Sequence, residues 1–524
     1  MLDNLADLAS RFAAEDGVVT RTEHLSAVYG LDPAEAMAQQ FLLTRDAAAL
    51  PEALTRARLG DWYLGHGADL PLARTSLKSG GQVAVLGLAV DREGHVIDTS
   101  RLRRLAKDHG DPQGLMDYLN DSAGRYVLIA HTPAFDRVYP DSIGSLGVVF
   151  DPETTRAGST VNLVLTRDTD WNRAYPLTGN ALVGPDRFSF GHTEDRAVRR
   201  LMPNHYLDLR DFTQTRHWPG PDTMHEPSET DEAQVIRQIV QRLEAVISAI
   251  AAHAPGQVHL PMSGGLDSRV LLACARPALE HIHLFSHAEN SMSRKDVRIA
   301  AKLAERLGRP FRGIDPIREP EHAITDPARL ELLNRKHRII TGMMSHPARI
   351  QHEVLLAHDP GGIFLRGNGS DFLKAVLWRR GVQEYVKNRP HDPLTGIRMM
   401  MLSDKSIVHN PRIQQEYTAW YDTLEGLARD RVYDLMFAEH FLSHSFGNLL
   451  YGFTHNFYVC PFNDRRLLAW ATSLPPDRRA ALHYNLAIVE WRTPELSDMH
   501  YTRRAVNLHL QALRAQQTPV LKVA

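Results

Sequence analysis

Nine residues, Pro261-Met262-Ser263-Gly264-Gly265-Leu266-Asp267-Ser268-Arg269, narrow the fold of this chain more than any others. They stand between an apolar strand-like stretch, Val258-His259-Leu260, and a segment that reads as a helix from about Leu266. Two glycines let the backbone come close to an anion and two serines add hydroxyl donors. The helix that follows turns its free N–H groups and partial positive charge toward the same spot. Such a turn suits a phosphate. Asp267 would repel a bare phosphate, so a divalent cation is expected between its carboxylate and the phosphate oxygens. The bland alternative is a Gly-rich strand-to-helix turn whose Asp and Ser only cap the helix. The stretch lacks the GK[ST] ending of a Walker-type loop, which disfavours γ-phosphate transfer of the kinase kind.

The surroundings read as a strand-helix alternation. Asp231 to His253 places Ile236, Ile239, Val240, Leu243, Val246, Ile247 and Ile250 at helical spacing, with polar residues between them. After the loop come a strand, His281 to Phe285, a helix carrying Val297, Ile299, Ala300, Leu303, Ala304 and Leu307, and a strand, Ile363-Phe364-Leu365. This order predicts a parallel sheet with crossover helices, and the remainder to Ala524 reads as mainly helical. Upstream, Pro- and Gly-rich residues from Trp218 to Ser228 read as a boundary. Before it, Val83–Val90, Tyr126–Ala130, Gly147–Phe150 and Val161–Leu165 read as strands bounded by turn residues, a β-rich texture that begins at Gly81. Residues 1 to about 80 read as Ala-rich helical segments and turns, with Asp32-Pro33 a helix start.

Composition excludes several classes. The 524 residues carry 60 Lys+Arg against 62 Asp+Glu, a formal charge of −2, which gives no basic footprint for nucleic acid. Two cysteines, Cys274 and Cys460, rule out a disulfide framework and an iron-sulfur cage, and fit a reducing cytoplasm. No apolar run approaches the ~18 residues of a membrane span, and the first residues lack the pattern of a secretory signal, so a cytoplasmic protein with no membrane partner is expected. Nine of the basic residues are lysines, so the search for a catalytic lysine is short.

The SGGLDS stretch resembles the pyrophosphate loop of N-type ATP pyrophosphatases, and the whole layout resembles the asparagine synthetase family, with its β-lactam synthetase and lasso-peptide cyclase branches. Asp296-Val297 with Ala300-Ala301 resembles the family's helix after the second strand, and Arg366-Gly367-Asn368-Gly369-Ser370-Asp371 its G-x-G-S-D loop. Pro461-Phe462-Asn463-Asp464-Arg465-Arg466-Leu467-Leu468 and Ser473-Leu474-Pro475 resemble its PFLD-x-x-L and SLP stretches. Leu119 to Phe150 and Leu201 to Leu207 resemble its glutaminase-type sheet. The likeness spans roughly residues 80 to 495.

It implies an α/β chain in two parts. Residues 1–225 would form a β-rich, glutaminase-like domain of the Ntn-type αββα kind. Residues 226–524 would form a doubly wound parallel-sheet synthetase domain with a helical C-terminal part. It also implies ATP and Mg2+. Ser263, Gly264, Gly265, Leu266, Asp267, Ser268, Gly369 and Ser370 would bind the nucleotide. Asp267 and Asp371 would be catalytic and hold the metal, although Asp371 alone also reads as a helix cap. A substrate carboxylate would be activated as an acyl-adenylate, releasing pyrophosphate, and captured by an amine as an amide.

The chain departs from the family in several places. Leu2 stands where amidotransferase members carry their nucleophilic cysteine, so glutamine hydrolysis is not expected and the amine comes from a substrate or ammonia. Phe457 and Val459 replace the Glu and Arg of the E-x-R-x-PFLD stretch, and Phe372 replaces the glutamate after G-x-G-S-D. Beyond Lys405 only Lys522 remains as a lysine, which leaves Arg492, Arg503 or Arg504 to stabilise negative charge. Tyr433, Glu439, His440 and His444 fall on one predicted helix, where a zinc pair or a general base is conceivable but a chance pairing among 27 histidines suffices. The leading reading is an ATP-dependent, AMP-forming amide ligase acting on small-molecule or peptide carboxylates and amines, with peptide macrocyclisation one version. A homodimer or biosynthetic partner proteins are the partners this reading allows. The alternatives are a non-catalytic protein that keeps the fold and, less favoured, a tRNA-modifying adenylating enzyme.

Overall fold

The structure is a computed structural model and describes residues 19–172, 188–226, 229–318, 323–343, 346–378, 391–400 and 408–515. Two antiparallel sheets occupy the N-terminal half. The first is built from β1 (Phe41–Thr44), β2 (Thr55–Leu59), β3 (Trp62–His66), β8 (Val149–Asp151), β9 (Arg156–Gly158) and β10 (Arg199–Arg200), in the order β10-β8-β9-β1-β3-β2. The second runs β12-β11-β7-β6-β5-β4, from β4 (Leu72–Ser76), β5 (Gln82–Val90), β6 (Ala123–His131), β7 (Asp136–Pro140), β11 (His205–Asp208) and β12 (Thr213–Arg216).

Successive strand residues point to opposite faces, and here both faces are buried. Ala84, Leu86, Val127 and Ile129 meet Phe41, Leu43, Trp62 and Leu64 of the first sheet. Val83, Val85, Tyr126 and Leu128 instead pack under Leu102, Leu105, Leu115 and Leu119. Those leucines belong to the helices Thr99–His109 and Pro112–Asn120. The outer face of the first sheet places Leu42 and Val149 against Val161, Leu163 and Val164.

Two expectations are corrected here. Strands begin at Phe41, not at Gly81, because β1 to β4 are short and their partners are partly distant, as in Leu42 beside Gly158. Val161–Val164 is a helical turn rather than a strand; a short run buried on all sides has no periodicity to tell the two apart. The helix start at Asp32-Pro33 is present, with the Asp32 side chain accepting from Ala34 N–H at 2.9 Å.

The C-terminal half holds a parallel sheet of five strands: β13 (Val258–Pro261), β14 (Ile282–His287), β15 (Phe311–Ile314), β16 (Ile363–Leu365) and β17 (Phe457–Val459). Their order is β15-β14-β13-β16-β17, every pair parallel. The chain moves outward from β13 through β14 to β15, then returns to the other side of β13 as β16. That reversal opens a crevice at the carboxyl ends of β13 and β16, the place where open α/β sheets take ligands. Leu260 and Leu284 pack with Val270, Leu271, Ala300 and Leu303 on one face, while Phe285, Phe364 and Tyr458 pack with Ala357 and Leu450 on the other. The helix Glu229–His253 buries all seven aliphatic residues of its predicted stripe, each contributing about 1.5–3 kcal/mol.

The PFND-R-R stretch joins the two halves. The Asn463 side chain accepts from Ser142 Oγ at 2.6 Å and Ile143 N–H at 3.1 Å, and donates to Ser145 Oγ at 2.9 Å. Asp464 caps the helix Arg465–Ser473 and pairs with Arg242 at 2.6 Å. Arg465, fully buried, donates to the carbonyls of Asn120 and Pro140 and to Asn204 Oδ1. Arg465→Ala removes the donors of two buried carbonyls, at about 1–3 kcal/mol each. Thermal unfolding should therefore shift clearly downward, with amide exchange rising first around residues 120–140. A variant that unfolds like the parent would show that this arginine does not hold the junction.

Candidate functional site

The loop after β13 is shaped by its own serines. Ser263 Oγ and Ser268 Oγ share a hydrogen bond of 2.8 Å, Gly265 N–H donates to Ser263 Oγ, and Ser268 Oγ donates back to the Ser263 carbonyl. Gly265 stands at the N-cap of the helix Leu266–Cys274 without a side-chain cap. The first N–H groups of that helix therefore face the crevice. Gly264 is held from two sides. Its N–H donates to Asp296 Oδ1 at 2.9 Å and its carbonyl accepts from Thr502 N–H at 2.9 Å, while the Thr502 hydroxyl donates to the same Asp296 oxygen. A side chain at Gly264 would collide with Thr502.

The segment that carries Thr502 is pinned by Arg269, the last residue of the motif. Its guanidinium donates to the carbonyls of Met499 and His500 and lies 3.7 Å from the centre of the Tyr501 ring.

The loop after β16 meets the first loop across the crevice. Gly369 has φ +88°, which a side chain resists, and a Cβ there would stand 2.8 Å from Phe462 Cβ. The turn Ser370–Lys374 follows. Ser370 Oγ donates to Asp267 Oδ1 at 2.6 Å, and Lys374 Nζ lies 2.7 Å from Asp267 and 2.8 Å from Asp371. Burial opposes the Lys374 charge, yet the Asp267 and Asp371 carboxylates outweigh it and hold its pKa above the ordinary lysine value. Asp371 is thus an ion-pair partner in the first turn, and the cap position belongs to Gly369.

Ser263, Gly264, Gly265, Leu266, Asp267, Asp296, Asp371, Lys374 and Arg503 line one cavity of about 850 Å³. A second cavity of about 450 Å³ lies on the other face of the sheet and reaches the loop after β16 at Gly367 and Asn368 and the end of β13 at Pro261. Its walls include Phe285, Phe364, Tyr458, His287, His358 and Arg366. Arg366 Nε donates to Asn368 Oδ1 at 3.0 Å, and its guanidinium lies over the rings of Phe446 and Tyr458. Burial pushes His358 down to about 3, so the ring is neutral at pH 7.

Of the residues singled out from the sequence, Ser263, Gly264, Gly265, Leu266, Asp267, Ser268, Gly369, Ser370 and Asp371 come together here. Arg503 joins them, whereas Arg492 pairs with Glu244 on the helix Glu229–His253. Glu439 and His440 lie elsewhere, in the core. Arg216 and Trp420 donate to Glu439 at 2.7 Å, and His440 Nδ1 accepts from Phe190 N–H. The His444 side chain, Leu2 and Lys522 are outside the described residues. Phe372 packs edge-on to Phe437, and the Phe457 ring lies 4.9 Å beneath the Arg125 guanidinium at the junction.

Sequence reasoning missed Lys374 and Thr502, and it noted Asp296 only as part of a helix motif, without a role in the site. Lys374 left a trace as one of nine lysines and three residues beyond Asp371, where one helical turn brings side chains together. Among the described residues no group of three or more His, Cys, Asp and Glu forms a metal site. A magnesium ion shared by Asp267 and Asp371 would need the place that the Lys374 ammonium holds, so the residues as arranged do not fit it.

No family model matches the chain, and no curated relative does. Among solved structures it is similar to a glutamine-dependent NAD+ synthetase from Acinetobacter baumannii, in complex with adenosine diphosphate, at 16% identity. The likeness covers 46% of this chain and 41% of that one, with a TM-score of 0.18. The chain thus spans less than half of the structure it matches. Among the described residues no helix is long and apolar enough to cross a membrane.

Proposed function

We propose that the crevice binds ATP and that the protein is an ATP-dependent, AMP-forming amide ligase of the asparagine synthetase kind. One observation carries the reading: the SGGLDS loop and the GNGSD loop end neighbouring parallel strands at the reversal point of the sheet, and Ser370 of one bonds Asp267 of the other. In this reading residues 1–225 are a degenerate glutaminase-like αββα domain, and residues 226–524 are a doubly wound synthetase domain with a helical C-terminal part.

The uncapped N-terminus of the helix Leu266–Cys274 would face the phosphates, and Lys374 and Arg503 would supply positive charge. The aromatic cavity offers Phe285, Phe364 and Tyr458 to a purine. A substrate carboxylate oxygen attacks the α-phosphorus, the bond to the bridging oxygen breaks, and pyrophosphate leaves. An amine then attacks the acyl carbon, AMP leaves, and the proton of the amine passes to a base. Magnesium, which the resemblance implies, carries no step here because Lys374 stands in its place.

The products test the reading. Incubation with ATP and a panel of carboxylates and amines should give AMP and pyrophosphate in equal amounts; ADP and phosphate as the stoichiometric products would remove it. Glutamine should not serve as nitrogen donor. Burial pushes both thiols up, Cys460 to about 12, and both belong to the C-terminal half of the chain. Glutamate release from glutamine would overturn that expectation. The second reading, a non-catalytic protein that keeps the fold, draws on Phe372 and Phe457 being packing residues. It predicts ATP binding, or none, with no pyrophosphate released from any carboxylate.

A further inference from the structure

The Asp267–Asp371 pair poses a charge problem that the chain solves internally. Asp267 opens the helix after β13, Asp371 lies on the turn after β16, and both carboxylates face one cavity. Two such groups repel each other unless a cation lies between them. The cation present is Lys374, within 2.8 Å of both, with a side chain only 12% exposed. The following residue, Ala375, is buried and ends the turn at φ +43°, a region that alanine rarely enters. The turn that carries Lys374 is thus strained at its end, and the ammonium itself is held by its two carboxylate contacts and its burial.

We propose that Lys374 is the resident cation of the Asp267–Asp371 pair, tying the two loops together across the crevice and excluding a divalent ion from the ligand-free cavity. A metal entering between the carboxylates must displace the ammonium and then face its charge at short range. Arg503, on the wall of the same cavity, adds to that repulsion, and Asp296 does not relieve it because it is engaged by Gly264 and Thr502. The inference concerns the carboxylate pair alone and stands whether or not the cavity takes ATP.

The test uses the full chain without nucleotide. Mn2+ is titrated and the free ion followed by electron paramagnetic resonance. Wild type should bind Mn2+ at this pair at least about tenfold more weakly than K374M, a difference of about 1.4 kcal/mol. K374R should behave like wild type, and K374M/D371N should lose the gained site. Wild type binding one Mn2+ as tightly as K374M would overturn the proposal, as would a K374M site that survives D371N. Amine labelling of the wild type, read by mass spectrometry, needs no variant to fold. Lys374 should label far more slowly than the other lysines, and faster when Mn2+ is forced in at high concentration. Labelling of Lys374 at the rate of an exposed lysine would refute the resident-cation role. Failure of the ATP reading would instead show as absent pyrophosphate release with this metal behaviour intact.

Discussion

Asp267→Asn is expected to lower ATP-dependent pyrophosphate release by about 100-fold or more, the scale seen when a preorganised charged or polar contact is removed from a site. The unfolding temperature should barely move. Both expectations come from the same geometry. Asp267 accepts from Ser370 Oγ through Oδ1 and from Lys374 Nζ, so it is the point at which the loops after β13 and β16 are joined. Asparagine keeps the carbonyl oxygen for Ser370, but it carries no charge and turns an N–H2 group toward an ammonium. Lys374 then loses one of its two partners. The Asp267 side chain is 43% exposed, so little core packing is at stake. Asp371→Asn should act in the same direction, since Asp371 pairs with Lys374 and does not cap the turn. Wild-type turnover in D267N would remove Asp267 from the chemistry, and wild-type turnover in D371N would reduce Asp371 to an ion pair that the reaction ignores.

The parts of this site that could be read from the sequence are the parts built locally. SGGLDS is six consecutive residues whose glycines, serines and helix start act on one another within the loop, so their spacing announces the turn. The helix Glu229–His253 was legible for the same reason, because its apolar stripe repeats at the helical period. Contacts made across the fold left no such mark. Lys374 reaches Asp267 over 107 residues, and Thr502 reaches Asp296 over 206. Nothing near Thr502 marks it as the residue that closes over Gly264. The PFND-R-R stretch was recognisable as a motif, yet what Asn463 does depends on Ser142, 321 residues away, and it proves to be a joint between halves. Before Gly81 the Ala-rich composition hid four short strands, because their partners are set by sheet pairing and not by local pattern.

The second large effect falls outside the site. Glu439 and His440 share a predicted helix with residues that chemistry could use, but the structure makes Glu439 a buried hub. Its carboxylate takes two hydrogen bonds from Arg216 and one from Trp420, each at 2.7 Å, and one from Asn204 at 3.1 Å. The Glu439 side chain is 0% exposed and that of Arg216 is 6%. Burial alone would raise the Glu439 pKa; Arg216 outweighs it and holds the group at about 2 against an ordinary 4.5. A depressed carboxylate pKa stabilises the fold fully above the unfolded value and ceases to do so as pH falls through the folded one. Glu439 should therefore contribute about 3 kcal/mol at neutral pH, all of it lost between about pH 4.5 and pH 2. Glu439→Gln leaves the Arg216 charge buried without its counter-charge and should cost about 3–5 kcal/mol at pH 7. Denaturant unfolding across that pH range provides the check, because the gap between wild type and E439Q should be wide at pH 7 and close toward pH 2. A gap that stays constant with pH would mean that Glu439 contributes by shape and hydrogen bonding, and that its charge adds nothing to the stability of the fold.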